Sequence, residues 1–399
     1  MGSAPGLFAA VLAPALLAAQ SVSGAFIVTL GKDTVAVERY TRTASTLTGD
    51  LIVRNNAPVV WRHYTTSLAP EGRVTRYEFT NTRLFAGGAT QPALHLVGTF
   101  TADSALFTGT FLDSALSLPA ATPGGALPLV GYSYALYELY FARARATAGN
   151  APITLNVISP GDEQPSARLV RVVRPDSATV GYTDESTTTS FRLDTAGRIL
   201  AADGRATSEK LVVTRVGALD LEALKTQFAG RPLGRLSPPD SVRTTIGGAR
   251  IAIDYSRPSM RGRQVFGAAL VPWGQIWRAG ANAATRLTTS ADLVIGGATV
   301  PAGTYTLFTQ PSPSGWKLII SKQTKAPCKT AAECVDPRRA PLWGTDYNAD
   351  SDFVRVDMRT ERLSQPVEQF VIRVVPQGTG GRLQLEWETT RAWVAFTRK

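Results

Sequence analysis

The stretch SYALYELYFARARATAG, residues 133–149, is a helical pattern set between many strand-like segments. Its apolar side chains recur near the helical period at four positions, Leu136, Leu139, Tyr140 and Ala144. This spacing predicts a helix over residues 133–148, which Gly149 can end. The segments on either side alternate polar and apolar residues and are separated by turns, as strands are. We therefore expect residues 26–218 to form a curved antiparallel sheet with this helix packed in its concave face.

A second domain is predicted after residue 236. Residues 219–236 read as a short amphipathic helix followed by a linker rich in Pro, Gly and Arg. Residues 237–399 contain short alternating segments with turn signals between them. Four of these segments close the chain: FVRVDMRTE (353–361), VEQFVIRVVP (367–376), GRLQLEWETT (381–390) and AWVAFTRK (392–399). Such spacing is typical of a β-sandwich or jelly-roll-like domain, so the whole chain is expected to be mainly β.

The net charge bounds the kind of partner. The chain has 399 residues and a formal charge of +11, with 44% hydrophobic and 18% charged residues. Residues 1–235 carry 21 basic and 18 acidic side chains, whereas residues 236–399 carry 21 and 13, so the excesses are +3 and +8. The basic residues are mostly arginines scattered between turns, without a basic helix, a lysine run or zinc-ligand spacing, so nucleic-acid binding is not expected. An anionic glycan, a phosphate, a lipid head group or an envelope surface fits the charge better.

The N-terminal residues predict export. GLFAAVLAPALLAAQSVSGA, residues 6–25, is an apolar stretch followed by small residues, which is typical of a signal peptide spanning residues 1–25. The small-residue rule favours cleavage after about Ala19 or Ala25, and the alternative is a buried N-terminal helix. In an exported, periplasmic or secreted protein, the two cysteines of APCKTAAECVDP, Cys328 and Cys334, predict one disulfide.

Several motifs of the second domain occur together in one order. They are DYSRPSMRGRQVFG, LVPWGQIWRAGANAAT, VIGGATVPAGTYTLF and PVEQFVIRV. With this order and spacing, about residues 237–399 closely resemble the domain-of-unknown-function family 2911 of exported bacterial proteins. The resemblance implies an exported β-domain and assigns no catalytic residue. This chain departs from the usual family pattern in its insert APCKTAAECVDPRRAPLWG and in its large first domain.

The first domain has a looser architectural similarity. Its order of strands, with one aromatic-rich helix between them, is similar to that of bacterial periplasmic proteins whose half-open sheet shelters lipid. No motif carries this likeness, so it concerns architecture alone.

The candidate binding residues come mainly from residues 255–287, a stretch with five arginines, two tryptophans and no acidic residue. Guanidinium and amide donors beside aromatic rings suit a carboxylate, a phosphate or a sugar. The candidate ligand-binding residues are Arg261, Arg278, Asn282, Trp273, Tyr255 and Tyr305. The alternative is structural, because an arginine can also tie loops together through their carbonyl groups and cover a tryptophan with its stem.

Enzymatic chemistry has weak support in the sequence. No G-x-S-x-G, P-loop or H-E-x-x-H motif occurs, and the only histidines are His63 and His95. Glu386 and Glu388 share one face of a predicted strand, which we expect to be a solvated face rather than a catalytic pair. We therefore expect no catalytic residue, no metal site and no cofactor.

Three functions follow as hypotheses. The first is a non-enzymatic binding or envelope-associated protein whose second domain holds an anionic or glycan ligand through its Arg/Trp loops. The second is a carrier of lipid or another hydrophobic ligand in the concave face of the first domain. The third is a hydrolase with a carboxylate pair that the sequence does not identify.

Overall fold

A computed structural model describes residues 21–399, except 148–150, 163–164, 175, 185–186, 208 and 327–340. In this part of the chain, two β-sheets and two α-helices account for the regular structure, together with one 3-10 turn. The expectation of a mainly β chain with a helix packed on the first sheet is confirmed. Cys328 and Cys334 lie outside the described residues, and their disulfide stays a prediction.

The first sheet has fifteen strands. They are β1 Val22–Leu30, β2 Asp33–Arg42, β3 Thr46–Val53, β4 Val59–Leu68, β5 Val74–Leu84, β6 Thr90–Phe100, β7 Ser104–Phe111, β8 Ser114–Ala121, β9 Leu127–Pro128, β10 Ile153–Ile158, β11 Ala167–Val173, β12 Thr179–Asp184, β13 Thr187–Leu193, β14 Ile199–Asp203 and β15 Val212–Val216. Helix α1, Ala135–Ala146, follows β9, and helix α2, Leu221–Ala229, follows β15.

The path of the chain gives this sheet two arms. Strands β1 to β8 pair in sequence as a meander that runs outward from the centre. After α1, strands β10 to β15 return to the centre, where β15 pairs antiparallel with β1. All pairings are antiparallel except that of β9 with β10. Short hairpin connections explain the order, because neighbouring segments in the sequence become neighbouring strands.

One helix organises the core of the first domain. Side chains from β1–β7 and from β9–β15 join those of α1 in a single buried cluster, so the sheet curves around the helix. The helix is short and lies inside the predicted span of residues 133–148, from Ala135 to Ala146. Gly149, the predicted end residue, is not among the described residues.

A buried carboxylate of a neighbouring strand holds the start of this helix. Glu38 on β2 is fully buried and accepts hydrogen bonds from the backbone N–H groups of Tyr134 (2.6 Å) and Ala135 (2.9 Å) at the start of α1. The hydroxyls of Tyr64 and Ser133 also donate to it, at 2.7 and 2.5 Å. Burial raises the pKa of Glu38, and these four hydrogen bonds act in the opposite direction. Since α1 has no side-chain cap of its own at this end, the carboxylate of a neighbouring strand serves as its cap.

The opposite face of the first sheet carries α2. Its residues Leu221, Phe228 and Ala229 form a separate buried cluster with side chains of β2–β5, among them Val59 and Leu84. Asp220 caps this helix by accepting a hydrogen bond from the N–H of the third helical residue.

The second sheet has nine strands in the order β16-β17-β18-β21-β22-β23-β24-β19-β20. They are β16 Pro239–Ile246, β17 Ala249–Ser256, β18 Thr285–Thr289, β19 Leu293–Ile295, β20 Ala298–Val300, β21 Gly303–Gln310, β22 Trp316–Ser321, β23 Asp352–Gln377 and β24 Gly380–Arg398. A 3-10 turn, Ala349–Ser351, precedes β23. The four segments predicted at the end of the chain form only two strands, because β23 and β24 each continue through the expected break with register shifts between Arg362 and Val371.

The long β23–β24 hairpin folds this sheet over a single core. The first part of β23 pairs with β22, while β24 pairs along β23 and then with β19. The core between them is rich in aromatic rings: Trp277 stacks on Trp387 with ring centroids 5.6 Å apart, and Phe370 meets both rings edge-on. The β-sandwich-like class expected for the second domain agrees with this arrangement.

Arg261 joins the two domains. Its backbone carbonyl accepts a hydrogen bond from the N–H of Lys32 in the β1–β2 turn (2.9 Å), and its guanidinium pairs with Asp33. Its own N–H donates to Glu368 at 2.9 Å. Gly31 in the same turn has a φ of +61°, and a Cβ there would lie 2.2 Å from the Arg261 carbonyl oxygen, so only glycine permits this approach. Arg261 is therefore a tie between domains.

Replacement of Glu38 by alanine should unfold the first domain more easily. The change leaves Tyr64, Ser133 and the first N–H groups of α1 without their acceptor in a buried place, which we expect to lower the free energy of unfolding by about 3 kcal/mol or more. Urea unfolding followed by circular dichroism measures this. Glu71→Ala, at an exposed hairpin glutamate, is the control; equal effects of the two variants would contradict the anchoring role of Glu38.

A double-mutant cycle measures the contact between Arg261 and Asp33 that joins the two domains. Arg261→Gln and Asp33→Asn, singly and together, should show a coupling free energy of about 1 kcal/mol, because the Arg261 side chain is 10% exposed and its partner 25%. Thermal unfolding of the full chain gives the four values. The exposed pair Arg73–Glu71 serves for comparison and should couple by less than about 0.5 kcal/mol. A coupling near zero for Arg261 and Asp33 would remove this pair as a tie.

Candidate functional site

Arg278 and Asn282 come together at a cleft between the two domains. The Asn282 side-chain amide donates to the backbone carbonyl of Ser237 at 3.1 Å, which fixes its position. The Arg278 guanidinium has no hydrogen bond or ion pair with any described residue, and its Nε is buried. Burial lowers the pKa of Arg278. An arginine in this state differs from the loop tie that the sequence offered as an alternative.

The other predicted residues lie apart from this pair. Arg261 is the domain tie described above. Trp273 is 40% exposed and stacks on Phe266, with ring centroids 6.2 Å apart. Tyr255 and Tyr305 are buried in the second domain, where each hydroxyl has a protein partner. The structure thus separates the six residues into one pair at a cleft and four with other contacts.

The cleft between the domains has a volume of about 860 Å³. The first domain contributes Tyr132 and Lys210, and the second domain contributes Arg263, Arg278 and Trp343. Trp343 is 67% exposed. The cleft is therefore basic, partly aromatic and shared by both domains.

A second cavity, also of about 860 Å³, lies on the concave face of the first sheet, at strands β4–β8 beyond the reach of α1. The loop 160–162 closes one side of it. Most of its wall is apolar and comprises Val60, Ala93, Leu94, Leu96, Phe111, Leu116 and Leu118. We call this space the concave cavity. Its size and lining are those of a site for a small apolar or amphiphilic molecule.

Three buried polar atoms beside the concave cavity lack hydrogen-bond partners. Arg62, Tyr77 and Asn81 line a connected space of about 210 Å³, and Arg62 and Asn81 also line the concave cavity itself. Arg62 donates one hydrogen bond, to the carbonyl of Gly131 (3.0 Å). Its Nε, the Tyr77 hydroxyl and the Asn81 Oδ1 are all buried without a hydrogen-bond partner in the protein. Buried polar atoms are usually satisfied in native proteins, and three unsatisfied atoms close together mark this end of the cavity as a place where a bound polar group would be stabilised.

The carboxylates of β24 are occupied by structural contacts. Glu386 is 5% exposed and accepts hydrogen bonds from Arg373 (3.3 Å) and Arg391 (2.5 Å). Glu388 accepts two backbone N–H groups of the loop before β18, each at 3.2 Å. The expectation of a solvated face was wrong for Glu386, because arginine side chains cover it. Neither carboxylate is free for acid–base work.

The histidines and acidic residues show no catalytic or metal arrangement. His63 lies 3.0 Å from Asp50, and His95 lies 3.3 Å from Glu78, both on the face of the sheet opposite α1. Within the described residues, no group of three or more His, Cys, Asp or Glu side chains is placed to hold a metal ion. No helix of the described chain has the length and apolar character to cross a membrane.

Sequence reasoning missed Arg62, Tyr77 and Asn81. A signal was present in β4, where Val60, Arg62 and Tyr64 share one strand face by alternation. An arginine between two apolar residues on a core-facing side is unusual and indicates either a buried ion pair or a ligand. The sequence alone does not show which face meets the helix, and the signal could not be used.

Comparisons with known proteins give a family for the second domain. No curated protein matches the chain. Among solved structures, a DUF1089 family protein from Pseudomonas aeruginosa is 10% identical, with a TM-score of 0.33, over 43% of this chain and 90% of that chain. Residues 237–396 match the family described as Protein of unknown function (DUF2911). The resemblance read from the sequence motifs is thereby confirmed for this segment.

Proposed function

We propose that the protein is an exported, non-enzymatic binding protein whose first domain holds an amphiphilic molecule with an anionic head group in the concave cavity. The observation that carries this proposal is the set of unpartnered polar atoms of Arg62, Tyr77 and Asn81 beside a largely apolar cavity, whose lining also includes Asn56, Arg83 and Asp162. Of the three hypotheses from the sequence, the ligand carrier has the most support in the geometry.

The chemistry of the lining defines the ligand. The apolar wall favours a hydrocarbon chain, since each buried CH2 group contributes about 0.8 kcal/mol. Beside this wall, Arg62 Nε and the Tyr77 hydroxyl are unpaired donors, and Asn81 Oδ1 is an unpaired acceptor. A carboxylic or phosphate head group matches the two donors, and a hydroxyl on the same head group matches the acceptor. A fatty acid or a lysophospholipid-like molecule combines these features.

A polar head group in this position removes an energetic cost. The guanidinium of Arg62 is desolvated, and burial lowers its pKa. A buried donor without a partner costs about 1–3 kcal/mol, so an anion that pairs with Arg62 recovers that cost as binding free energy.

The two buried carboxylates described above, Glu38 and Glu386, do not support a hydrolase. Glu38 and Glu386 are each fully engaged by structural donors, as described above. Binding without a reaction requires only a cavity of suitable shape and a polar group that orients the ligand, and the concave cavity has both.

Export remains part of the proposal, supported by the apolar small-residue segment at the N-terminus. Strand β1 begins at Val22, and Ala25 within it is buried and pairs with Arg39 and Val216. Cleavage after Ala25 removes this part of β1, whereas cleavage after Ala19 leaves the strand intact.

The mature N-terminus should therefore lie before Val22. We expect N-terminal sequencing of the protein secreted by a bacterial host to give Gln20 as the first residue, as cleavage after Ala19 requires. The variant Ala19→Arg, which removes the small residue at the cleavage position, provides the control for an unprocessed protein. Recovery of a stable protein that begins at Phe26 would contradict the importance of the first four residues of β1.

Ligand binding is tested with a matched pair of amphiphiles. A fluorescent fatty acid should bind the full chain, and Arg62→Met should weaken it by about tenfold or more because a charge-assisted hydrogen bond is lost. The methyl ester of the same acid should bind both proteins alike. Fluorescence titration gives the affinities, and mass spectrometry of solvent extracts identifies co-purified lipid.

Two control variants complete this test. Arg76→Gln alters an exposed arginine of β5 that pairs with Glu78 and should leave binding unchanged. Leu116→Asp places a charge on the half-buried apolar wall and should weaken the acid and the ester together. Binding of the fatty acid that is insensitive to both Arg62→Met and Leu116→Asp would place the ligand elsewhere and overturn the proposal.

A further inference from the structure

The cleft between the domains holds three cationic side chains from separate loops. Lys210 precedes β15 in the first domain, whereas Arg263 and Arg278 belong to the loops between β17 and β18 in the second. Glu209 is the one carboxylate among the described lining residues, and Arg235 of the linker adds a fourth cation. The lining thus carries a clear excess of positive charge.

None of the three cations forms an ion pair with a described acidic residue. Lys210 Nζ donates to the carbonyl of Ala269 at 2.8 Å. Arg263 donates to the carbonyls of Ser259 (2.7 Å) and Met260 (2.9 Å). These are neutral acceptors, and Arg278 has no partner among the described residues. Hydrogen bonds to carbonyl groups therefore hold Lys210 and Arg263 in position without cancelling their positive charges.

The cations also act on one another. Burial lowers the pKa of Lys210, and repulsion from Arg278 and then Arg263 lowers it further. Like charges that share a partly desolvated cleft destabilise the empty protein, so an anion of matching charge gains binding free energy by entering.

We propose that this cleft binds a phosphate ester, held jointly by Lys210, Arg263 and Arg278 from the two domains. A phosphate monoester carries about two negative charges at neutral pH and three acceptor oxygens, which suits three separate cations better than a monocarboxylate does. The terminal nitrogens of the Arg278 guanidinium have no hydrogen bond to a described residue and can donate to two of these oxygens. Asn282 and the exposed ring of Trp343 line the same cleft and are available to the organic part of such an ester.

The site is independent of the concave cavity. It uses no residue of the apolar wall, and its ligand is a small hydrophilic anion rather than a hydrocarbon chain. Because residues of both domains hold the phosphate, binding should stiffen the junction that Arg261 and Asp33 already tie.

The test uses the full chain and a matched pair of sugars at low ionic strength. Glucose 6-phosphate should raise the midpoint of thermal unfolding and give a saturable calorimetric titration with a dissociation constant below about 1 mM, while glucose should do neither. Inorganic phosphate forms a further arm. If it binds as well as the ester, the cleft recognises phosphate alone; if it binds more weakly, the sugar contributes; both results support the proposal.

Variants assign the binding to the cleft. Arg278→Gln and Lys210→Gln should each lower the affinity for glucose 6-phosphate by at least tenfold. Arg278 has no side-chain partner among the described residues, so its variant is expected to fold, and the lysine variant is a second, independent test. Arg286→Gln, at an arginine of β18 that pairs with Asp254, is the control and should bind as the native protein does.

Two results would overturn the inference. One is the lack of any shift or heat with phosphate and its ester at millimolar concentration. The other is binding that neither Arg278→Gln nor Lys210→Gln weakens. Arg62→Met should retain full phosphate binding, so a failure here is distinguishable from a failure of the amphiphile site.

Discussion

The contact between the Glu38 carboxylate and the start of helix α1 fixes the first domain. A helix that crosses the concave face of a sheet presents unpaired N–H groups to an apolar interior, where water cannot satisfy them. Glu38 supplies the missing acceptor from a central strand, and Glu138 on the helix does the reverse by accepting from Tyr40 (2.8 Å) and the N–H of Ile199 (3.0 Å). Both anchors lie near the middle of the sheet. The helix therefore covers the centre, and the arm formed by β4–β8 keeps part of its concave face uncovered, where the cavity lies.

Arg261, Arg62 and Arg278 differ in their hydrogen-bond partners, and these partners determine the role that we assign to each. Arg261 lies beside Asp33 and becomes a tie between domains. Arg62 has one carbonyl partner and an unpartnered Nε at an apolar cavity. Arg278 has no partner among the described residues. Burial lowers the pKa of both Arg62 and Arg278, which are therefore held in the protein at a cost that the proposed anion would offset. The same residue type is structural where an acid is within reach and a candidate for binding where none is.

Local sequence patterns predicted the architecture well, because alternation and turns are local properties. They placed the strands and the helix around Leu139 close to where the structure has them. They failed for contacts between distant segments. Nothing near Arg261 in sequence indicates Asp33, and nothing near Glu38 indicates α1. The merged strand β23 was missed for a related reason: a bulge and a chain break look alike when the pairing partner is unknown. The candidate sites depend on such distant contacts, and the sequence could therefore name Arg278 and Asn282 but not Lys210, Arg62 or Tyr77.

The placement of the two candidate sites has a physical consequence for the whole chain. The concave cavity is built on strands of one domain, so the proposed amphiphile should change the stability of that domain alone. The cleft is built from both domains, so the proposed phosphate ester should add to the Arg261–Asp33 tie and change how firmly the domains are joined. Thermodynamic linkage requires that any restraint on the junction also affects the affinity of the cleft. Weakening the tie at Asp33 should therefore lower phosphate affinity while it leaves the affinity of the concave cavity for an amphiphile unchanged.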